Sequence, residues 1–243
     1  MVFDNALELT DVTSGYGENI VVRSVSLAVP KSSVLALLGP NGVGKSTLLR
    51  TISGLVDTRQ GEVHLNGENV TKLPVHARAR RGLCLIPEGR GIYPGLSVED
   101  NLRMQSPFRG KEAVEIATTA FPVLGRRLGQ RAGSLSGGEQ QMLSMVAGYV
   151  RNPTVLLVDE PSLGLAPQVV DAIFGFLESI AKRGVALVIV DQFVHIALNL
   201  ADMVCVMNQG EIVLRGKASE LSESDVYHAY VELSGTIATS RGV

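Results

Sequence analysis

Apolar residues follow two rhythms along this chain. Short unbroken runs occur at Ser33–Leu38, Leu83–Ile86, Val155–Val158 and Val185–Val190. Runs this short, bounded by Gly, Pro or charge, predict strands buried on both faces, as in a parallel sheet. Leu7–Thr13 and Ile20–Val29 predict strands of an N-terminal antiparallel layer. Glu62–Leu65 runs into Asn66-Gly67, a hairpin signal, and Met203–Met207 and Glu211–Leu214 flank a second turn at Asn208-Gln209-Gly210. From Ser97 to Val150 the spacing is helical throughout, over Val98–Met104, Lys111–Phe121 and Ser136–Val150. This predicts a helical insertion, at residues 88–150, between two core strands. From Ser222 a helical stretch leads to a polar tail ending Arg241-Gly242-Val243.

Composition narrows the class. The 243 residues are 45% hydrophobic, enough for one large core or two modest ones, and residues 1–243 are expected to form one α/β domain. The net charge is −2 with Lys and Arg scattered, so no nucleic-acid partner is expected. The one dense basic cluster, Arg78, Arg80 and Arg81, is expected to be a solvated helix face. Cys84 and Cys205 lie in apolar runs and are expected as buried free thiols of a reducing compartment. No apolar run approaches the roughly 18–20 residues that span a bilayer. The first residues, with Asp4 and Glu8, do not resemble a signal peptide. A soluble cytoplasmic chain is the expectation, linked to a membrane only through a partner.

The chemistry begins where the first core strand stops. Gly39-Pro40-Asn41-Gly42-Val43-Gly44-Lys45-Ser46-Thr47 fits G-x-x-x-x-G-K-[ST] in full, with an apolar strand before it and a helical pattern from Leu48 after it. Glycines let backbone N–H groups turn inward around phosphate oxygens, and the helix start adds about half a positive charge. Lys45 is placed to reach the β- and γ-phosphates, and the Ser46 hydroxyl to ligate Mg²⁺. A glycine-rich turn with a solvated lysine is the plainer alternative, and the complete motif disfavours it. The run Val155–Val158 ends in Asp159-Glu160. Two adjacent acids at the end of a buried strand call for partners. Asp159 suits the Mg²⁺ shell, and Glu160 suits a general base for the attacking water.

Leu135-Ser136-Gly137-Gly138-Glu139-Gln140-Gln141 opens the last helical pattern. Ser136 with Glu139 three residues on has the form of a capping box. A helix start with free N–H groups also grips anions. With the P-loop before it and Asp159-Glu160 after it, the segment resembles the LSGGQ signature of ABC transporter ATP-binding subunits, Glu139 standing in the usual Gln position. The resemblance covers about residues 7–230. It implies a P-loop ABC ATPase with a mostly parallel core sheet, an N-terminal antiparallel β layer and an inserted helical subdomain. It further implies that Ser136, Gly137, Gly138 and Glu139 complete the ATP site of a second subunit in a head-to-tail dimer.

Within that family the chain is most similar to the branched-chain amino acid importer type, through Pro87-Glu88-Gly89-Arg90, Ser136–Leu143 and Asp159–Pro167. Most members carry Gln thirteen positions before the Asn of a T-V-x-x-N stretch. Here Asn101 points back to Glu88. Most carry a switch His ten positions before the Asp of an Ala-Asp pair. Here Asp202 points back to Gln192, which leaves His195 as a polar residue on a helix surface. Glu88 and Gln192 are what the branched-chain type carries, with Glu88 near Mg²⁺ and the reacting phosphate. Unit charges about 4 Å apart at an effective dielectric near 20 repel by about 4 kcal/mol, so Glu88 belongs on the Mg²⁺ side or swung away until closure. Tyr16, between Gly15 and Gly17, matches the aromatic that stacks on adenine. The chain departs from the family pattern at Ala147-Gly148, where an Arg is usual, and at Phe193, where an Asn is usual. The resemblance implies a motor subunit at the cytoplasmic face of the membrane. Its partners would be transmembrane permease subunits, a second ATP-binding subunit and, indirectly, a substrate-binding protein. A lipid or lipopolysaccharide exporter motor and a soluble non-transport ABC ATPase are the alternatives.

Overall fold

The computed structural model describes residues 4–89, 91–105, 110–191 and 193–231. Arg90, Gln192 and the polar tail lie outside them, as does part of the junction between the first two helices of the insertion. The element order is β1 (Asn5–Tyr16), β2 (Asn19–Pro30), β3 (Val34–Leu38), α1 (Lys45–Ser53), β4 (Thr58–Leu65), β5 (Glu68–Asn69), α2 (Val75–Arg80) and β6 (Leu83–Ile86). There follow α3 (Val98–Gln105), α4 (Gly110–Ala120), α5 (Pro122–Gly125) and α6 (Gly137–Tyr149). The chain continues with β7 (Val155–Asp159), α7 (Pro167–Ala181), β8 (Ala186–Val190), α8 (Val194–Leu200), β9 (Met203–Asn208), β10 (Glu211–Lys217) and α9 (Glu223–Val231).

Two sheets result. β2-β1-β4-β5 is antiparallel, and β10-β9-β3-β8-β7-β6 is parallel except for the β9–β10 pair. The apolar runs explain the second sheet: every residue of β3, β7 and β8 is buried, because both faces are covered. One face packs with α1 and the antiparallel sheet through Leu37, Leu48, Ile52, Val63 and Val188. The other packs with the inserted helices and α7 through Leu102, Leu143, Leu156, Ile173 and Leu187. Both hairpin turns have positive φ at their central residues, Asn66 (49°) with Gly67 (80°) and Gln209 (47°) with Gly210 (88°). That is the type I′ geometry that matches strand twist. The described residues between β6 and β7 are helical or irregular apart from a single bridge, Ser97 to Arg131.

Two features depart from the sequence pattern. α7 was not anticipated after Asp159-Glu160, although Val170, Ile173, Phe174, Leu177 and Ile180 make a regular buried stripe and Pro167 sits at its first turn. The Arg78 side chain is not solvated: it is 2% exposed. Its guanidinium donates to the carbonyls of Thr51 (2.8 Å) and Ile52 (2.7 Å) at the end of α1, and to those of Thr71 (2.6 Å) and Leu73 (3.0 Å). A cation at a helix C-terminus, where carbonyls lack partners, is favourable. Arg80 is exposed, and Arg81 pairs with Glu68 at 2.7 Å. Cys84 and Cys205 are buried free thiols as expected, and burial pushes both thiol pKa values up.

Candidate active site

The site is built at the C-terminal ends of β3, β7 and β8, which the strand order places side by side. Gly39 leaves β3 at φ 149°, and a Cβ there would lie 2.2 Å from the Met207 carbonyl oxygen, so only glycine lets the chain turn against β9. Gly44, at φ 111°, is the N-cap of α1 and accepts the Leu48 N–H at 2.8 Å. The Val43 carbonyl accepts from Gly210 N–H at 3.0 Å, which fixes the outside of the loop to the β9–β10 turn.

Inside the loop, Lys45 is 4% exposed, and its ammonium donates to the carbonyls of Gly39 (2.7 Å) and Pro40 (2.9 Å). Burial pushes its pKa down, against the pull of Glu160, Asp159 and Asp191. The Ser46 hydroxyl donates to Asp159 Oδ1 at 3.0 Å. Burial raises the Asp159 pKa; the Ser46 hydrogen bond opposes this, and Glu88 adds to it. The same holds for Glu160, raised first by burial, lowered by Lys45 and raised again by Glu88, Asp159 and Asp191. Glu160 has φ 46°, in the left-handed region, and its N–H donates to the Val190 carbonyl at 2.9 Å.

Lys45, Ser46 and Glu160 face an open cleft of about 350 Å³. It is lined by Asn41, Gly42, Gly44, Lys45, Ser46 and Thr47 of the loop and helix start, together with Glu88, Glu160 and Leu163. Tyr16 ends β1 in a neighbouring hollow with Leu55, Asp57 and Arg59. Its ring is 46% exposed, and its hydroxyl accepts from Arg50 of α1 at 3.4 Å. An exposed aromatic face beside a phosphate loop is what a stacking base needs.

The signature segment stands apart. Ser136 is the N-cap of α6; its hydroxyl accepts from Glu139 N–H at 3.4 Å, while Glu139 accepts from Ser136 N–H at 2.9 Å. Glu139 also pairs with Arg127 at 3.2 Å. The capping box is therefore real, and none of Ser136, Gly137, Gly138 or Glu139 lines the P-loop cleft of its own chain. His195 is exposed on α8. Sequence reasoning missed Asp191, a buried acid at the end of β8, and its partner Ser162. The signal was available: Asp191 closes an apolar run just as Asp159 does.

The family model for ABC transporters matches residues 22–163. The chain belongs to the ABC transporter family. It is 38% identical to the high-affinity branched-chain amino acid transport ATP-binding protein BraG of Pseudomonas aeruginosa, over 93% of this chain and 99% of that protein. It is 36% identical to the probable branched-chain amino acid transport ATP-binding protein LivF of Archaeoglobus fulgidus, over 91% of this chain and 96% of that one. It is also 31% identical to Nod factor export ATP-binding protein I of Rhizobium etli, over 96% of this chain and 75% of that protein. Among solved structures it resembles an ATP-binding subunit of an ABC transporter, with TM-score 0.82 and 26% identity over 94% of this chain and 99% of that one. It resembles the ADP conformation of an ABC transporter's ATP-binding cassette with TM-score 0.79 and 26% identity, over 94% and 99% of the two chains. This ABC cassette binds nucleotide and is an ATPase. No helix among its described residues is long and apolar enough to cross a membrane.

Proposed function

We propose that this cassette drives import of branched-chain or related amino acids, hydrolysing ATP at the cleft between the P-loop and Glu160. The observation that carries the reading is the convergence of Lys45, Ser46, Glu88 and Glu160 on one cleft, with buried Asp159 hydrogen-bonded to Ser46. Glu88 in that cleft, with Glu where most of the family carries Gln, is the feature that supports the branched-chain type, together with relatives named for that transport.

The residues fit a Mg–ATP complex. Ser46 Oγ and Asp159 Oδ1 lie 3.0 Å apart, two hard oxygen donors beside a phosphate loop. Among the described residues no group of three His, Cys, Asp or Glu forms a cage of its own, which suits an ion held largely by phosphates and water. Bound there by Ser46 and Asp159, with Glu88 beside them, Mg²⁺ would offset charge on the phosphates. The N–H groups of residues 41–47 cradle the phosphates, and Lys45 trades carbonyl contacts for the β- and γ-phosphates. Glu160 accepts a proton from water as that water's oxygen bonds the γ-phosphorus and the bond to ADP's leaving oxygen breaks. Its raised pKa improves it as a proton acceptor. Tyr16 stacks on adenine. Gln192 is assigned a hydrogen bond to the attacking water or the γ-phosphate, and lies outside the described residues.

Ser136, Gly137, Gly138 and Glu139 serve the site of a second ATP-binding subunit, because they stand outside their own cleft. Permease subunits dock in the hollow beside the Glu88 loop, lined by Pro87, Tyr93, Gln105, Ala147 and Arg151, where Tyr93 is exposed. Relatives named as Nod factor exporters keep an exporter motor as the second reading. The discriminating experiment reconstitutes the cassette with its permeases in vesicles and measures ATP hydrolysis and uptake. Leucine, isoleucine or valine with a binding protein should stimulate both. Stimulation by a lipid-linked saccharide, and not by amino acids, would assign the exporter role instead.

A further inference from the structure

Asp191 follows β8 and is 1% exposed. A carboxylate so buried persists as an anion only when partners surround it. The Ser162 hydroxyl, itself 2% exposed, lies 2.7 Å from Oδ2 and 2.9 Å from Oδ1, its one proton shared between them. The Phe193 N–H donates to Oδ1 at 2.9 Å. The position of these partners matters. Ser162 lies two residues beyond Glu160, on the segment leaving β7. Phe193 lies on the segment leaving β8. The two strands are neighbours, with Asp159 opposite Val190. One buried carboxylate thus ties together the loops that leave both strands.

Glu160 needs that restraint. At φ 46° it sits where non-glycine residues are uncommon, and such a conformation persists only when its surroundings fix it. Its own N–H is held by Val190, upstream of the side chain. Ser162 on Asp191 holds the chain downstream. We infer that Ser162 and Asp191 form a positioning latch for hydrolysis, holding the loop after β7 so that Glu160 faces the cleft and moving it together with the loop after β8. Neither residue lines the cleft, so both act through Glu160 and not on the nucleotide. Asp191 also faces Lys45 and Glu160 electrostatically, pulling the Lys45 pKa up and adding to the rise at Glu160, which places the latch within range of the reacting groups.

The inference rests on Glu160 as the base, and the test separates the two. Ser162→Ala, Asp191→Asn and the double variant are made in the full chain, with folding checked by circular dichroism. ATP hydrolysis and direct ATP affinity are then measured. Ser162→Ala should lower kcat about ten- to a hundredfold, the scale of a misplaced catalytic group, with ATP affinity and KM within about twofold of the parent. The double variant should lose no more than the more damaging single variant, because the two residues work as one unit. The latch is overturned by a folded Ser162→Ala with parental kcat, by losses that multiply in the double variant, or by ATP affinity falling in step with kcat. Were Glu160→Gln to keep its turnover, the base assignment would fail first. A dead Glu160→Gln beside an unaffected Ser162→Ala would remove the latch alone.

Discussion

Glu160 and Lys45 sit across one cleft and are predicted to fail differently. Glu160→Gln keeps the shape and one acceptor oxygen but cannot take a proton near neutral pH. Turnover should fall by about a hundredfold or more while ATP binding stays intact, since general-base removal typically costs 10²–10⁴. Steady-state hydrolysis beside equilibrium nucleotide binding checks this, and a rate within a few-fold of the parent would take Glu160 out of the reaction. Lys45→Ala removes the cation proposed to reach the β- and γ-phosphates, so affinity itself should drop. Unchanged affinity would mean that nucleotide sits elsewhere. At this scale the sequence was legible wherever a residue's chemistry is fixed by its immediate neighbours. Gly39 to Thr47 and Asp159-Glu160 are contiguous, and their roles follow from spacing. Arg78 and Asp191 were not legible. Arg78 is buried by carbonyls at the end of α1, some 26 and 27 positions away, and Asp191 is anchored by Ser162, 29 positions away. Local pattern holds no record of such distances.

At the scale of elements, α1 is the part on which the site depends most. Its N-terminus forms the phosphate loop, and its C-terminus is closed by Arg78. Arg78→Met keeps much of the volume and leaves the carbonyls of Thr51, Ile52, Thr71 and Leu73 without the cation. The cost should be about 2–4 kcal/mol, from the lost charge-assisted hydrogen bonds and the buried acceptors left behind. A denaturant midpoint falling by the corresponding amount checks this, and an unchanged midpoint would mean water replaces the guanidinium at no cost. α8 offers the second case. His195 is exposed on it, three positions past Gln192. Gln192→Ala should cut hydrolysis by about a hundredfold, the scale of a lost transition-state donor. His195→Ala should change it little. If His195→Ala proves the damaging change, the loop register is wrong. Elements with an unmixed signal, such as β3, β7, β8 and the two hairpins, were readable directly. α7 was not legible with them, although its buried stripe is regular, because it begins only at Pro167, after the irregular turn that follows Asp159-Glu160.

For the molecule as a whole, the decisive fact is that the two helix starts proposed to face phosphate do not meet. The P-loop opens α1 at one cleft, while Ser136 to Glu139 open α6 outside it, with a Ser136–Glu139 capping box and with Glu139 engaged by Arg127. Strand order, which brings β3, β8 and β7 together out of sequence, decides where the first site lies, and no pattern along the chain encodes that order. If the second helix start serves a partner's nucleotide, specific ATPase activity should rise with protein concentration, since a monomer presents each half-site alone. Gly137→Asp adds a carboxylate where the partner's γ-phosphate would rest. At an effective dielectric near 20, two charges about 4 Å apart repel by about 4 kcal/mol, enough to abolish productive pairing. The variant should therefore bind ATP as the parent does, because its own P-loop is untouched, yet lose hydrolysis at every concentration. Mixing it with Lys45→Ala sharpens the test. In a mixed head-to-tail dimer one site joins an intact P-loop to an intact Ser136-Gly137-Gly138, and the other carries both defects, so partial activity should return on mixing two inactive proteins. Specific activity independent of concentration, with no recovery on mixing, would place the whole reaction within one chain and leave α6 an ordinary well-capped helix.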